Sequence, residues 1–332
     1  MYGKYYGLDS EPFLLTPDPR FFYESSVHSQ AMAYLTYGMS RGEGFIVITG
    51  EIGAGKTTLV KHLCATIDSA RILTAHVVTT QVDGVDLLRM VCSAFGLKDI
   101  PDSKSSVLLR LQNFFATALE SNCRALLIVD EAQNLTVSAL EELRMLSNFQ
   151  VNNVAPFQSF LLGQPQFREV LSSPDLEQLR QRIIANYHLG PMDADECSRY
   201  LEYRLRTVGW QSDPSFDSGA LEEIYNRTGG IPRRINTLCN RLLLLGMLDN
   251  LHNFTSKEVN RVAADLEAEL SSAKANGTPG SELAVAAEAV AIADVSERLL
   301  GLEYRVARHE EMIRQAATAL RNILKFASRA TG

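Results

Sequence analysis

The stretch FIVITGEIGAGKTT, residues 45–58, constrains this chain more than any other. Six apolar or small residues form a short buried strand, and a Gly-rich turn then runs straight into a helix-forming segment. Residues 50–57 fit the spacing G-x-x-x-x-G-K-[ST] without a mismatch. Phosphate needs this arrangement. Glycines let the backbone turn tightly enough for successive N–H groups to face one anion, and the helix N-terminus adds the positive end of its dipole. The predicted nucleotide-binding stretch is therefore Gly50, Glu51, Ile52, Gly53, Ala54, Gly55, Lys56, Thr57 and Thr58. Lys56 is expected to reach the β- and γ-phosphates, and the Thr57 hydroxyl to hold Mg. A tight turn alone would not need the full pattern in its strand–helix setting.

A second segment, ALLIVDE (residues 125–131), ends an apolar run on two carboxylates. Asp130 falls at the C-terminal edge of a buried strand, where ligands of α/β sheets lie, and is expected in the Mg shell with Thr57. Glu131, one residue beyond, is placed to orient and deprotonate an attacking water. Alone, such a pair is an ordinary acidic strand end; after a complete phosphate loop it points to nucleotide hydrolysis. No NKxD-like guanine reader is present, which favours ATP over GTP.

Four further polar residues bear on the site. Gln164 ends the apolar run FLLG and is either a turn residue or an amide beside the γ-phosphate. Arg180 and Arg182, in LRQRI, precede the last strand, where a guanidinium could reach a neighbouring subunit's nucleotide or simply be surface charge. GGIPRRIN opens a helix at Pro232, the residue type suited to a first helical turn, and Arg233 follows it. An arginine there can point across a cleft at phosphate, or out to solvent.

Strand-like runs at 45–50, 71–78, 125–131 and 157–163, with a weaker one near 186–189, alternate with helical segments. That alternation predicts a parallel sheet covered on both faces, over residues 44–190. Residues 1–43 read as an aromatic lead-in packing on that core: prolines 12, 17 and 19 exclude a regular helix early on, and a helix follows from Ser26 to Ser40. From Pro191 strand signals stop, and residues 191–270 read as a small all-helical domain. SSAKANGTPGS, 271–281, reads as a linker. Residues 282–329 carry a seam in steps of three and four, apolar except at His309, from Ile292 through Val295, Leu299, Leu302, Val306, His309, Ile313, Ala316, Leu320 and Ile323 to Ala327. This is the period of a coiled coil, with a single amphipathic helix folded on the helical domain as the alternative.

The 32 Lys+Arg against 39 Asp+Glu give a net charge of −7, which argues against a protein that mainly coats DNA or anionic membrane. No uncharged apolar run reaches the ~18 residues that span a bilayer, and the N-terminus lacks a signal-peptide core. The five cysteines are scattered without metal-pair spacing, as expected for reduced thiols in the cytoplasm.

Read together, YYGLDSEPFLLTPDPRFFYESSVHSQAMAYL, GFIVITGEIGAGKTTL, LLIVDEAQNL, FLLGQPQF, LEQLRQRI and GGIPRRINTLCNRLLL resemble the ExeA-type (general secretion pathway A) AAA+ ATPases. The resemblance covers roughly residues 2–265. It implies an AAA+ sheet in the order 5-1-4-3-2 with a helical lid, and a homo-oligomer. It also implies Gln164 as the sensor after the fourth strand, Arg182 (Arg180 as the alternative) as the trans-acting arginine, and Arg233 as the lid arginine. Within the family the chain looks most like the subgroup of exosortase (PEP-CTERM) and exopolysaccharide loci. The membrane span and peptidoglycan-binding module of the secretion-pathway type are not apparent here. The implied function is a cytoplasmic ATPase, peripheral to the inner membrane through an envelope or secretion partner, that drives assembly of an export system. The alternative is a DNA-dependent ATPase of the MuB/TniB transposition type, which shares the fold.

Overall fold

The computed structural model describes residues 2–15, 18–66, 71–78 and 82–275. Its compact unit runs through Ala263, and residues 264–275, which continue the last helix, are all that is described of a second unit. The 282–329 coiled-coil expectation lies outside the described residues.

Five strands form one parallel sheet: β1 (Phe45–Gly50), β2 (Ile72–Val78), β3 (Arg124–Asp130), β4 (Phe157–Gly163) and β5 (Ile183–Leu189). Their order is β2-β3-β4-β1-β5, the expected 5-1-4-3-2 read from the other edge. Burial explains the sequence pattern. β1 and β4 are buried at every residue and β3 at all but its first, so these strands read as continuous apolar runs. Alternate residues feed two cores. Phe45, Val47, Leu127, Val129 and Leu161 face α4 (Gly84–Ala94), α5 (Lys104–Glu120) and α6 (Val137–Leu146). Ile46, Ile48, Leu126, Ile128 and Leu162 face α2 (Ser26–Arg41) and α3 (Lys56–Thr66). Side chains start these helices: Asp83, Ser103 and Thr136 each accept a backbone N–H from the first turn of α4, α5 and α6.

The fifth strand begins at Ile183 rather than near Asn186. As the sheet edge it alternates buried and exposed residues, which weakened its apolar signal. After β5 come α9 (Ala194–Arg206), α10 (Ser218–Thr228), α11 (Pro232–Asp249) and α12 (Ser256–Ala275). The region is not wholly helical: Ser215–Phe216 and Asn253–Phe254 pair as a two-residue parallel ladder, β6 and β7, too short to leave a periodic pattern. α12 also runs to Ala275, so the first five residues of the expected linker are helix.

A larger difference concerns the N-terminus. α2 packs on the sheet and Phe22 stacks on His62 of α3 against the core, as expected, but residues 2–21 contact the helical region instead. The Tyr2 hydroxyl donates to Asn240 Oδ1 at 2.5 Å, Tyr6 to the Leu251 carbonyl at 2.9 Å and Tyr203 to the Arg20 carbonyl at 3.1 Å. Arg204, buried in α9, donates from Nε to the Pro12 carbonyl at 2.6 Å and from Nη2 to Leu14 at 3.1 Å, and its guanidinium lies 4.2 Å above the Phe21 ring. Tyr2, Tyr6 and Phe21 of the lead-in thus serve the helical domain, while Phe22 holds the segment to the core. Arg204→Ala is expected to lower unfolding free energy by about 3 kcal/mol, because one buried and one part-buried carbonyl and a cation–π contact lose their partner. Urea unfolding measures the loss, and limited proteolysis should release the arm.

Among the described residues no helix is long and apolar enough to cross a membrane.

Candidate active site

Because the strands are parallel, the C-terminal ends of β3, β4 and β1 lie side by side on one edge, with β4 in the middle. The segments that follow them carry Glu131, Gln164 and the phosphate loop, so residues far apart in sequence meet there.

The loop turns on Gly53 (φ +82) and Gly55 (φ +97), both in the left-handed region that glycine tolerates. Lys56, at the start of α3, is buried to 7% exposure, and its Nζ donates to the carbonyls of Gly50 at 2.8 Å and Glu51 at 3.0 Å. Burial pushes the ammonium below its usual pKa, while Glu131, Asp130 and Glu51 pull the other way. The Thr57 hydroxyl donates to Asp130 Oδ2 at 2.6 Å, and Asp130 Oδ1 accepts the Glu131 backbone N–H at 2.9 Å. Glu131 itself sits at φ +54, a conformation costly for a residue with a Cβ, found where a side chain must be aimed against the run of the chain. Its Oε2 accepts from Gln133 Nε2 at 2.6 Å and from Gln164 Nε2 at 3.0 Å.

A magnesium–ATP complex fits this donor set. The Thr57 hydroxyl and the Asp130 carboxylate are the hard oxygen ligands that Mg takes when phosphates and water complete its shell. Among the described residues no group of three or more His, Cys, Asp or Glu could hold a metal by itself.

The helical region reaches this loop. The Arg233 backbone N–H, at the start of α11, donates to the Gly53 carbonyl at 3.2 Å. A Cβ placed on Gly53 would lie 2.2 Å from Arg233 Cβ. Arg233 therefore lies against the phosphate loop with its side chain exposed. Gly53→Ala would face both that clash and a backbone strain of about 1–3 kcal/mol, so ATP affinity is expected to fall about tenfold or more. Calorimetric titration of the variant with ATP checks this.

Arg182 is placed differently. It immediately precedes β5, and its carbonyl accepts the N–H of Phe45, the first residue of β1. The six residues of β1 therefore put about 20 Å between it and the loop of its own chain. Its Nη1 donates to the Ser147 carbonyl at 3.2 Å, and it lines a cleft of about 620 Å³ with Glu43, Arg144 and Gln181. Arg180, by contrast, donates to the carbonyls of Leu171 at 2.7 Å and Ser173 at 2.5 Å, closing the turn between α7 (Phe167–Leu171) and α8 (Glu177–Arg180).

Two site residues escaped the sequence reading. Gln133 holds Glu131, and its type and position carry no signal of that role. His28, buried on α2 beside the loop, bonds Ser25 Oγ at 2.7 Å and the Ala54 backbone, and burial lowers its pKa. A lone histidine on an apolar helix face gives no reason to look for it.

Comparison with known proteins agrees with this geometry. Residues 39–171 match the family described as AAA domain. General secretion pathway protein A of Aeromonas hydrophila is 34% identical over 287 residues, 86% of this chain and 51% of that protein, so the chain spans about half the length of this relative. Among solved structures, Pyrobaculum aerophilum Cdc6p superposes with TM-score 0.60 at 14% identity, covering 78% of this chain and 71% of its own. The Aeropyrum pernix ORC2 protein superposes with TM-score 0.56 at 17% identity, over 77% and 71%. The two structures show the fold alone; residues 39–171 are similar to the AAA domain family, and most of the chain is similar to part of General secretion pathway protein A.

Proposed function

We propose that the protein binds Mg-ATP, hydrolyses it at sites shared between copies of the chain, and uses the cycle to drive or regulate assembly of an envelope secretion or exopolysaccharide-export system. The observation that carries the hydrolytic part is the contiguous set Thr57–Asp130–Glu131–Gln164 beside a complete phosphate loop.

In this reading the loop N–H groups and Lys56 bind the phosphate chain, and Thr57 and Asp130 hold Mg, which neutralises charge developing on the phosphates. Glu131 orients a water in line with the γ-phosphorus. As the water oxygen bonds to phosphorus and the bond to the ADP oxygen breaks, the water's proton passes to the Glu131 carboxylate, giving ADP and phosphate. Gln164 reads the γ-phosphate by its amide. Arg233 answers to the phosphates from the lid side, and Arg182 supplies positive charge to the neighbouring copy's nucleotide.

The export role rests on the name of the 34%-identical relative and on the sequence resemblance to the exosortase-associated (PEP-CTERM) subgroup. In that role the chain works in the cytoplasm, held at the inner membrane by a partner. Phosphate release by the wild type tests the reading. Turnover should require Mg, prefer ATP to GTP, and be unaltered by duplex DNA at low and moderate salt. Strong stimulation by DNA would instead favour a transposition-type ATPase.

A further inference from the structure

Gln133 closes a bracket across the site that nothing in the hydrolytic scheme above requires. It lies two residues beyond Glu131, in the 3-10 turn Ala132–Asn134 that follows β3. Its Nε2 donates to Glu131 Oε2 at 2.6 Å, while its Oε1 accepts the backbone N–H of Gln164, at the end of β4, at 3.0 Å. The orientation of the amide follows from these partners. A backbone N–H can only donate and an ionised carboxylate can only accept, so the flipped amide would set donor against donor and acceptor against acceptor. The third side of the triangle is Gln164 Nε2, which donates to the same Glu131 oxygen at 3.0 Å.

We propose that Gln133 is the positioning residue that keeps the Glu131 carboxylate aimed at the attacking water and ties it to the strand end that reads the γ-phosphate. The proposal rests on the reading of Glu131 as the base. A γ-phosphate oxygen is an acceptor, so once it engages the Gln164 amide, that amide turns from Glu131 to the phosphate. Gln133 then becomes the donor that still holds the carboxylate. The backbone bond to Gln164 is untouched by this exchange, because it uses the main-chain N–H and not the side chain. Glu131 needs such a tether. A carboxylate on three rotatable bonds, leaving a backbone at φ +54, is otherwise free to swing, and small misplacements of a reacting group are costly in rate.

Two substitutions separate this role from a structural one. Gln133→Ala removes both halves of the bracket. Gln133→Glu keeps an oxygen to accept the Gln164 N–H but loses the donor to Glu131 and sets a second carboxylate beside it. Both variants should bind ATP with wild-type Kd in calorimetry and lose about tenfold or more in kcat, the loss expected when one charge-assisted contact to the base is removed. Wild-type kcat in Gln133→Ala, or in Gln133→Glu, would overturn the proposal, the second showing that only the backbone contact matters. Glu131→Gln, assayed alongside, separates the two levels. If it is inactive while the Gln133 variants are fully active, the positioning role alone fails; if it is as active as wild type, the reading of the base fails and the proposal with it.

Discussion

Lys56→Ala is expected to weaken ATP binding by about 100-fold or more, with the fold intact. The size follows from where the ammonium sits. It is already buried and held over the loop by bonds to two carbonyls at 2.8 and 3.0 Å, so the side chain is in place when phosphate oxygens arrive and only its hydrogens need turn to them. Charge-assisted hydrogen bonds are worth about 1.5–3 kcal/mol each, and two of them give the factor quoted. The side chain belongs to the helix whose N-terminus faces the anion, so its removal also leaves the dipole as the main positive field there. Titration with ATP and Mg measures the change. Circular dichroism of the same sample should match the wild type, since the lysine's bonds go to Gly50 and Glu51 alone and the left-handed turns rest on Gly53 and Gly55.

Arg182→Ala is expected to bind ATP normally and hydrolyse it about 10³-fold more slowly, the scale of a positive charge supplied to transferring phosphate. The geometry excludes action within the chain: Arg182 sits at the start of β5, at the sheet edge opposite its own loop. One guanidinium nitrogen is fixed on the Ser147 carbonyl, which pre-aims the group at the cleft it shares with Arg144 and Glu43. Arg180→Ala should be milder on catalysis and harsher on stability, because its contacts are internal carbonyls. Mixing Arg182→Ala with Lys56→Ala should restore part of the activity, since each variant offers what the other lacks. Specific activity unchanged down to monomeric dilution would contradict a shared site.

These residues also mark what the sequence could reveal. β1, β3 and β4 were legible because a strand buried on both faces must be apolar throughout, and the phosphate loop because few backbone paths cradle an anion. Asp130 and Glu131 followed, since strand ends on that edge face the loop. The order of the strands came only from family resemblance; no residue's chemistry dictates it. The start of β5 was obscured by its position at the edge, where Asn186 and His188 are exposed, and β6 and β7 by their two-residue length. The docking of residues 12–21 depends on Arg204, whose burial no local pattern announces: on its own helix it reads as one more charged residue. Gln133 and Gln164 meet because β3 and β4 are neighbours, a fact of topology rather than of spacing.

The central claim is that Glu131, aimed by its own backbone and by two amides, is the base of an ATP-hydrolysing site. The most direct test is Glu131→Gln, with ATP affinity and phosphate release measured on one preparation. The account predicts binding within a few-fold of wild type, because Lys56, Thr57 and Asp130 are unchanged, and turnover lowered by about 10²-fold or more, because an amide cannot take the water's proton. Equal rates of phosphate release in Glu131→Gln and wild type would contradict it.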